Sequence, residues 1–190
     1  MIALIIGEGS GTSSAPQVFR LFFTFSSKRE LLSKVFRIFA NNMEPAIIED
    51  QIFEFELFEE DGSVLMAAAR KAVEHGYRVY ILPNPKGIRT ADFIFERKGV
   101  YKLFDLKTIT GKNSVENRLS DSVGQTNRVL LHMTADYNPG TLARSIKRYF
   151  ELNLYAREVL VYKGKKQISV TRKSLEDTNF FRTFIRRYTK

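Results

Sequence analysis

The sequence predicts an α/β fold in which a mixed central β-sheet is flanked by helices on both faces. Three observations lead there. From Gly62 the patterns run helix, strand, strand, strand, helix, strand, helix, hairpin, helix. Two of the strands, "TADFIFER" and "VYKLFDLKT", are joined by Lys98-Gly99 alone, the signal of a tight hairpin. A helix then crosses to the next strand, and a hairpin followed by such a crossover gives a sheet of mixed direction. At 190 residues, 44% apolar and 13% aromatic, the chain can bury the core this requires.

Each element has a local reason. "MIALIIGEGSGTSSAP" reads as a strand and a glycine-rich loop. The loop lacks a Lys before its Ser/Thr and misses the G-x-G-x-x-G spacing, so it is not a phosphate cradle. Residues 27–41 carry Leu31, Leu32, Val35, Phe36, Ile38 and Phe39 at helical spacing. Residues 1–42 are expected to be an N-terminal arm or auxiliary helical segment ahead of a domain over 43–190. The acidic stretch "MEPAIIEDQIFEFELFEEDG" leads to Gly62. "SVLMAAARKAVEH" is alanine-rich, free of breakers and closed by Gly76, which makes it a helix. "YRVYILP" is a strand ended by Pro83, and "NPKGIR" a loop. After the hairpin come a helix, "NSVENRLSDSVGQTN", which Asn113 can cap, and a strand, "RVLLHMT". "ADYNPG" is a loop and "TLARSIKRYFELNLY" a basic amphipathic helix. "REVLVYKGKKQISVTR" is a hairpin turning at Lys163-Gly164. In the final helix, "SLEDTNFFRTFIRRY", the residues Phe180, Phe181, Phe184 and Tyr188 are spaced as a core-facing stripe.

Composition narrows the function. There is no cysteine, hence no disulfide framework and no thiolate zinc site. His75 and His132 fall in different elements, which points to structural roles and leaves any metal to carboxylates, as a hard cation. No apolar run reaches the ~18–20 residues that span a bilayer, and "MIALII" lacks the basic leader of a secretory signal, so a cytoplasmic protein is expected. The net charge of +9 is one-sided: residues 140–190 hold 13 Lys/Arg against 4 Asp/Glu, and residues 1–139 balance. Such a segment suits a polyanion, nucleic acid ahead of an anionic membrane surface.

The stretch "KLFDLKTITG" carries the chemistry. Strand alternation puts Asp105 and Lys107 on one face, with Phe104, Leu106 and Thr108 on the other. Asp92 opens the preceding strand, and the Lys98-Gly99 turn brings it to the same end of the hairpin as Asp105. Two adjacent carboxylates resist ionising together unless a cation lies between them. Mg²⁺, or Mn²⁺, takes such a pair and completes its shell with water and phosphate oxygens. Lys107 alongside is placed to activate the attacking water and offset phosphate charge. A plainer reading stands beside this one: Asp92 as a strand-start cap, and Asp105–Lys107 as an ion pair on an edge strand.

Asp-x(12)-Asp-x-Lys on a hairpin resembles the core motif of the PD-(D/E)xK, restriction-endonuclease-like nuclease superfamily, and the matching element order covers about residues 60–133. "AAARKAVEHGYRVYILPNPKG", "ADFIF", "KLFDLKT" and "NSVENRLSDSVGQTNRVLLH" further resemble the C-terminal nuclease domains of CdiA-type contact-dependent inhibition toxins and phage-encoded relatives. The resemblance implies a metal-dependent endonuclease, RNA (tRNA) ahead of DNA, blocked by a cognate immunity protein and delivered as part of a larger toxin. It implies catalytic roles for Asp92, Asp105, Lys107 and Gln125, and metal ligation by Asp92 and Asp105. The chain departs from the motif at Ala91, where the name has Pro, and in the first-helix glutamate. Glu59 is the expected third ligand, with Glu60 beside it. Ser114, Asn117 and Arg118 match the family's Ser-x-x-Asn-Arg, and with Asn113 they fall at a helix start, where free N–H groups bind phosphate or are merely capped. Thr108 completes the expected substrate contacts near the strand. Arg144, Lys147 and Arg148, at helical spacing, would hold the backbone without reading sequence. The alternatives are a DNase of the same fold and a non-catalytic nucleic-acid-binding module.

Overall fold

The computed structural model describes residues 46–49, 51–54, 62–82, 90–111 and 115–190. The expected arm and Glu59, Glu60, Asn113 and Ser114 lie outside them, as does the proposed boundary at residue 42.

Among the described residues eight strands form one mixed sheet in chain order: β1 (Ala46–Glu49), β2 (Ile52–Glu54), β3 (Arg78–Ile81), β4 (Phe93–Arg97), β5 (Val100–Ile109), β6 (Arg128–Met133), β7 (Glu158–Lys163) and β8 (Lys166–Thr171). β2–β3, β5–β6 and β6–β7 are parallel and the other neighbours antiparallel. The helices are α1 (Gly62–Glu74), α2 (Val115–Asp121), α3 (Pro139–Leu152), α4 (Arg172–Leu175) and α5 (Phe180–Thr189). The expected α/β class and mixed sheet are observed. Among the described residues no helix is long and apolar enough to cross a membrane.

Helix α1 buries Ala68, Ala69 and Ala72 against one face of the sheet, over Val79, Ile81, Phe93, Phe95 and Phe104. Alanine lets the helix sit close, and Gly76 at φ +79° ends it. On the other face α2, α3 and α5 cover β6–β8 through Leu119, Ile146, Phe150 and Phe184. A smaller cluster, Tyr80, Leu82, Ala91, Ile94 and Leu103, occupies that same face over β3–β5. The β4–β5 hairpin turns on Lys98 and Gly99, both at positive φ (53° and 74°), as a two-residue loop requires.

Four expectations are corrected. The helix expected over 113–127 is described only from Val115 and stops at Asp121, because Ser122 Oγ donates to the Leu119 carbonyl and Gly124, at φ +85°, reverses the chain. Helix α3 begins earlier than expected, at Pro139, which has no N–H to lose at a helix start, with Asn138 Oδ1 capping the Thr141 N–H at 2.9 Å. The last helix is two, because a capping box at Thr171–Ser174 closes on the short α4 before α5 starts. Phe181, expected in the core with Phe180, Phe184 and Tyr188, lies on the flank of α5 and is 37% exposed.

Candidate active site

Strand β5 builds the site by changing partners. Its first half pairs antiparallel with β4 up to Phe93↔Phe104, and its second half pairs parallel with β6 from Asp105↔Val129. Asp105 therefore sits at the switch. Asp92, just before β4, extends the ladder by donating its N–H to the Phe104 carbonyl at 2.9 Å. Its carboxylate then accepts the Leu106 N–H at 2.5 Å, a position that a further strand residue would otherwise fill. The side chain of Asp92 is thereby pinned beside β5.

Asp105 and Lys107 share a face, as alternation requires, and it is the face carrying Ile109, Val129 and the α2–α3–α5 layer. Lys107 Nζ donates to Asp105 Oδ1 at 2.9 Å. The pair is not the exposed ion pair of an edge strand: Asp105 is 1% exposed. Its other oxygen, Oδ2, is buried with no hydrogen-bond donor. Burial pushes the Asp105 carboxyl up to about 7 and the Asp92 charge adds to the rise, while Lys107 opposes it. The structure thus brings Asp92, Asp105 and Lys107 together. The strand-cap and ion-pair roles are both present as well, and with both acids ionised neither supplies a donor to the buried Oδ2.

A divalent cation fits this donor set. Two adjacent carboxylates, one of them buried, raised in proton affinity and carrying an oxygen with no donor, match a hard cation that keeps waters in its shell. Among the described residues no group of three His, Asp or Glu side chains is placed to hold a metal.

The remaining expected residues divide. Thr108 pairs with His132 on the opposite, α1 face, away from the acids, because it is one residue out of phase with Lys107. Gln125 is not on a helix with Arg118. It lies in the turn after α2, and its Nε2 donates to the Asp121 carbonyl at 3.0 Å, closing the helix end. Asn117 and Arg118 are exposed on α2. Arg144 and Arg148 are exposed on the outward side of α3, opposite its buried Leu142, Ile146 and Tyr149. Lys147, half-buried, lies over the Phe181 ring at 5.8 Å.

Sequence reasoning missed Tyr149. It comes off the buried side of α3, and its hydroxyl lies 3.4 Å from Ser122 Oγ and accepts Asn153 Nδ2 at 3.2 Å. Burial raises its pKa and the Asp105 charge adds to that, so the phenol stands within electrostatic reach of the acid pair. The only sequence signal for it was its place among the apolar positions of α3. Also missed was buried Glu158, which joins Lys102 (2.9 Å), Arg128 (3.5 Å) and Ser169 (2.7 Å) on the α1 face. His132, read as structural, is buried, with Nε2 3.0 Å from Lys71 Nζ.

No family model matches the chain. No curated protein matches it either. Among solved structures it is similar to a CdiA-CT/CdiI toxin and immunity complex from Burkholderia pseudomallei, at 19% identity over 67% of this chain and 96% of that one, with a TM-score of 0.42. A likeness at that level assigns neither family nor activity.

Proposed function

We propose that the chain is a metal-dependent endonuclease of the PD-(D/E)xK type that hydrolyses phosphodiester bonds, in RNA ahead of DNA, as a toxin-type nuclease. One observation carries the reading: a buried aspartate with an unsatisfied oxygen, beside a second carboxylate and in contact with a lysine, at the point where β5 changes partners. The toxin assignment, tRNA as substrate and a dedicated immunity protein rest on the sequence resemblance.

Asp92 and Asp105 would hold the cation, Mg²⁺ or Mn²⁺. When bound, it polarises a phosphoryl oxygen and lowers the pKa of coordinated water. Asp92 is fixed for this by the Leu106 N–H, and Asp105 by burial and Lys107. Lys107 holds its ammonium beside the acids, where it orients the attacking water and offsets the charge that builds on the phosphate. Asn117 and Arg118 on α2, with the cations of α3, hold the backbone without reading bases.

Cleavage of total RNA, tRNA and plasmid DNA in Mg²⁺ and in EDTA tests this directly. Mg²⁺-dependent cutting of RNA is expected. Lys107→Ala should lower the rate at least about 100-fold, in the range of a lost electrostatic or acid–base group, and leave RNA affinity nearly unchanged. Binding of RNA and DNA with no cleavage of either would leave a non-catalytic binding module, and normal cutting by the Lys107 variant would displace the site.

A further inference from the structure

We propose that the loop between α3 and β7 is a stacking platform for an unpaired nucleotide of the substrate, with Tyr155 and Leu154 supplying the surface. The inference rests on the nuclease reading and adds a preference for unpaired strand beside the scissile bond. Leu152, Leu154 and Tyr155 are 76%, 78% and 70% exposed. The loop that presents them is nonetheless tied down. The Asn153 N–H reaches the Tyr149 carbonyl (2.9 Å), the Ala156 N–H reaches the Asn153 carbonyl (3.0 Å), and the Tyr155 N–H reaches Asn153 Oδ1 (3.2 Å). Arg172 lies beneath, its guanidinium donating to the carbonyls of Phe150 (3.1 Å) and Asn153 (2.6 Å). A backbone held this firmly keeps large apolar side chains in water.

The loop lies at the same end of the sheet as Asp105: it leads into β7, whose Val159 pairs with Val129 of β6, and Val129 pairs in turn with Asp105 of β5. The Asn153 side chain bonds both the Tyr155 backbone and the Tyr149 hydroxyl. Ser122 meets the same hydroxyl, and Val123 next to it is 45% exposed.

Size and charge select the occupant. Four such side chains expose no more than a few hundred Å², the scale of an ordinary monomer's largest patch, against roughly 800 Å² per partner in a stable protein pair. A nucleobase offers a π-face of matching size, and its phosphate would meet the positive field of Arg157 and Arg172. Glu151, the acid adjoining Leu152, faces Lys147 at 3.8 Å.

The test is binding of a single-stranded RNA carrying 2-aminopurine, in EDTA so that nothing is cut, beside a blunt RNA duplex. Wild type should quench the probe. Tyr155→Ser and Leu154→Ser, both at exposed positions that should leave folding intact, should lose the quench and bind the single strand roughly 5- to 100-fold more weakly, with duplex affinity unchanged. In Mg²⁺ the same variants should raise KM on unpaired substrate and leave kcat near wild type. Variants that bind and cut like wild type sink the platform while the nuclease stands. Quenching by a wild type that cuts nothing leaves the platform and sinks the nuclease. Absence of RNA binding sinks both. A dimer seen by sedimentation and dissolved by Leu154→Ser would give the loop to a second copy of the chain and overturn the proposal.

Discussion

Asp105 carries a cost that pH can reveal. Its carboxyl ordinarily titrates near 3.8 and is pushed up to about 7 by burial, with Asp92 adding to the rise. Between those values the folded chain keeps a proton that the unfolded chain has lost, so stability falls as pH rises from about 4 to about 7. Asp105→Asn removes that dependence while keeping the shape of the side chain. At pH 8 the variant should be more stable than wild type, by on the order of 1–3 kcal/mol, and at pH 4 the two should nearly coincide. Urea melts at the two pH values decide it, and equal stability at both would deny the burial cost. Mg²⁺ should raise the Tm of wild type at pH 8 and leave that of Asp105→Asn unchanged, because a cation that binds only the folded carboxylates adds stability by mass action.

Between elements, Glu158 is a polar staple outside the apolar core. From β7 it ties Lys102 of β5, Arg128 of β6 and Ser169 of β8 with a carboxylate that is 5% exposed. Glu158→Ala would strand two partly buried cations and is expected to cost about 3–5 kcal/mol by urea denaturation, well above the roughly 1 kcal/mol expected when Asn138→Ala removes the cap of α3. What was legible in the sequence follows the same division between local and distant causes. The hairpin, the shared face of Asp105 and Lys107, and the nearness of Asp92 follow from a two-residue turn and a period of two. Each needs only neighbours along the chain. Strands β1 and β2, within an acidic stretch, were not read as strands at all, since four and three residues carry little periodicity. Gln125 was misplaced because the end of α2 depends on Gly124 and on a serine bonded back to the helix. Glu158 reads as one acid in an apolar strand, and only the sheet order puts cations from two other strands beside it.

Across the whole molecule the charge excess acquires a direction. The net +9 lies in residues 140–190, and that segment supplies α3 and α5, which cover the face of the sheet that bears Asp105. The two helices run side by side, with Lys147 over Phe181 and Ile185 close to Gly140. Arg144 and Arg148 then line the outer side of α3, while Arg182 and Arg186 line that of α5. Residues four apart on a helix are about 6 Å apart along its axis, so each helix offers a pair of guanidinium groups in a row. Binding through such rows releases counterions from the nucleic acid, and the logarithm of the affinity falls linearly with the logarithm of salt concentration. Each phosphate contact contributes roughly 0.7 to the slope for a single strand and 0.9 for B-form DNA. Replacing Arg144 and Arg148 together by alanine should therefore reduce the slope by about 1–2 and weaken all RNA sequences by a similar factor, measured by fluorescence anisotropy from 50 to 200 mM salt. Lys107→Ala removes a half-buried lysine already engaged by Asp105, and it should leave the slope within about half a unit of wild type. The two variants separate holding from cutting: one changes the salt dependence and spares the chemistry, the other does the reverse. A slope untouched by the arginine pair would move the binding surface off α3. Pelleting with anionic vesicles, lost in the same pair, would mean that the cationic face had met a membrane instead.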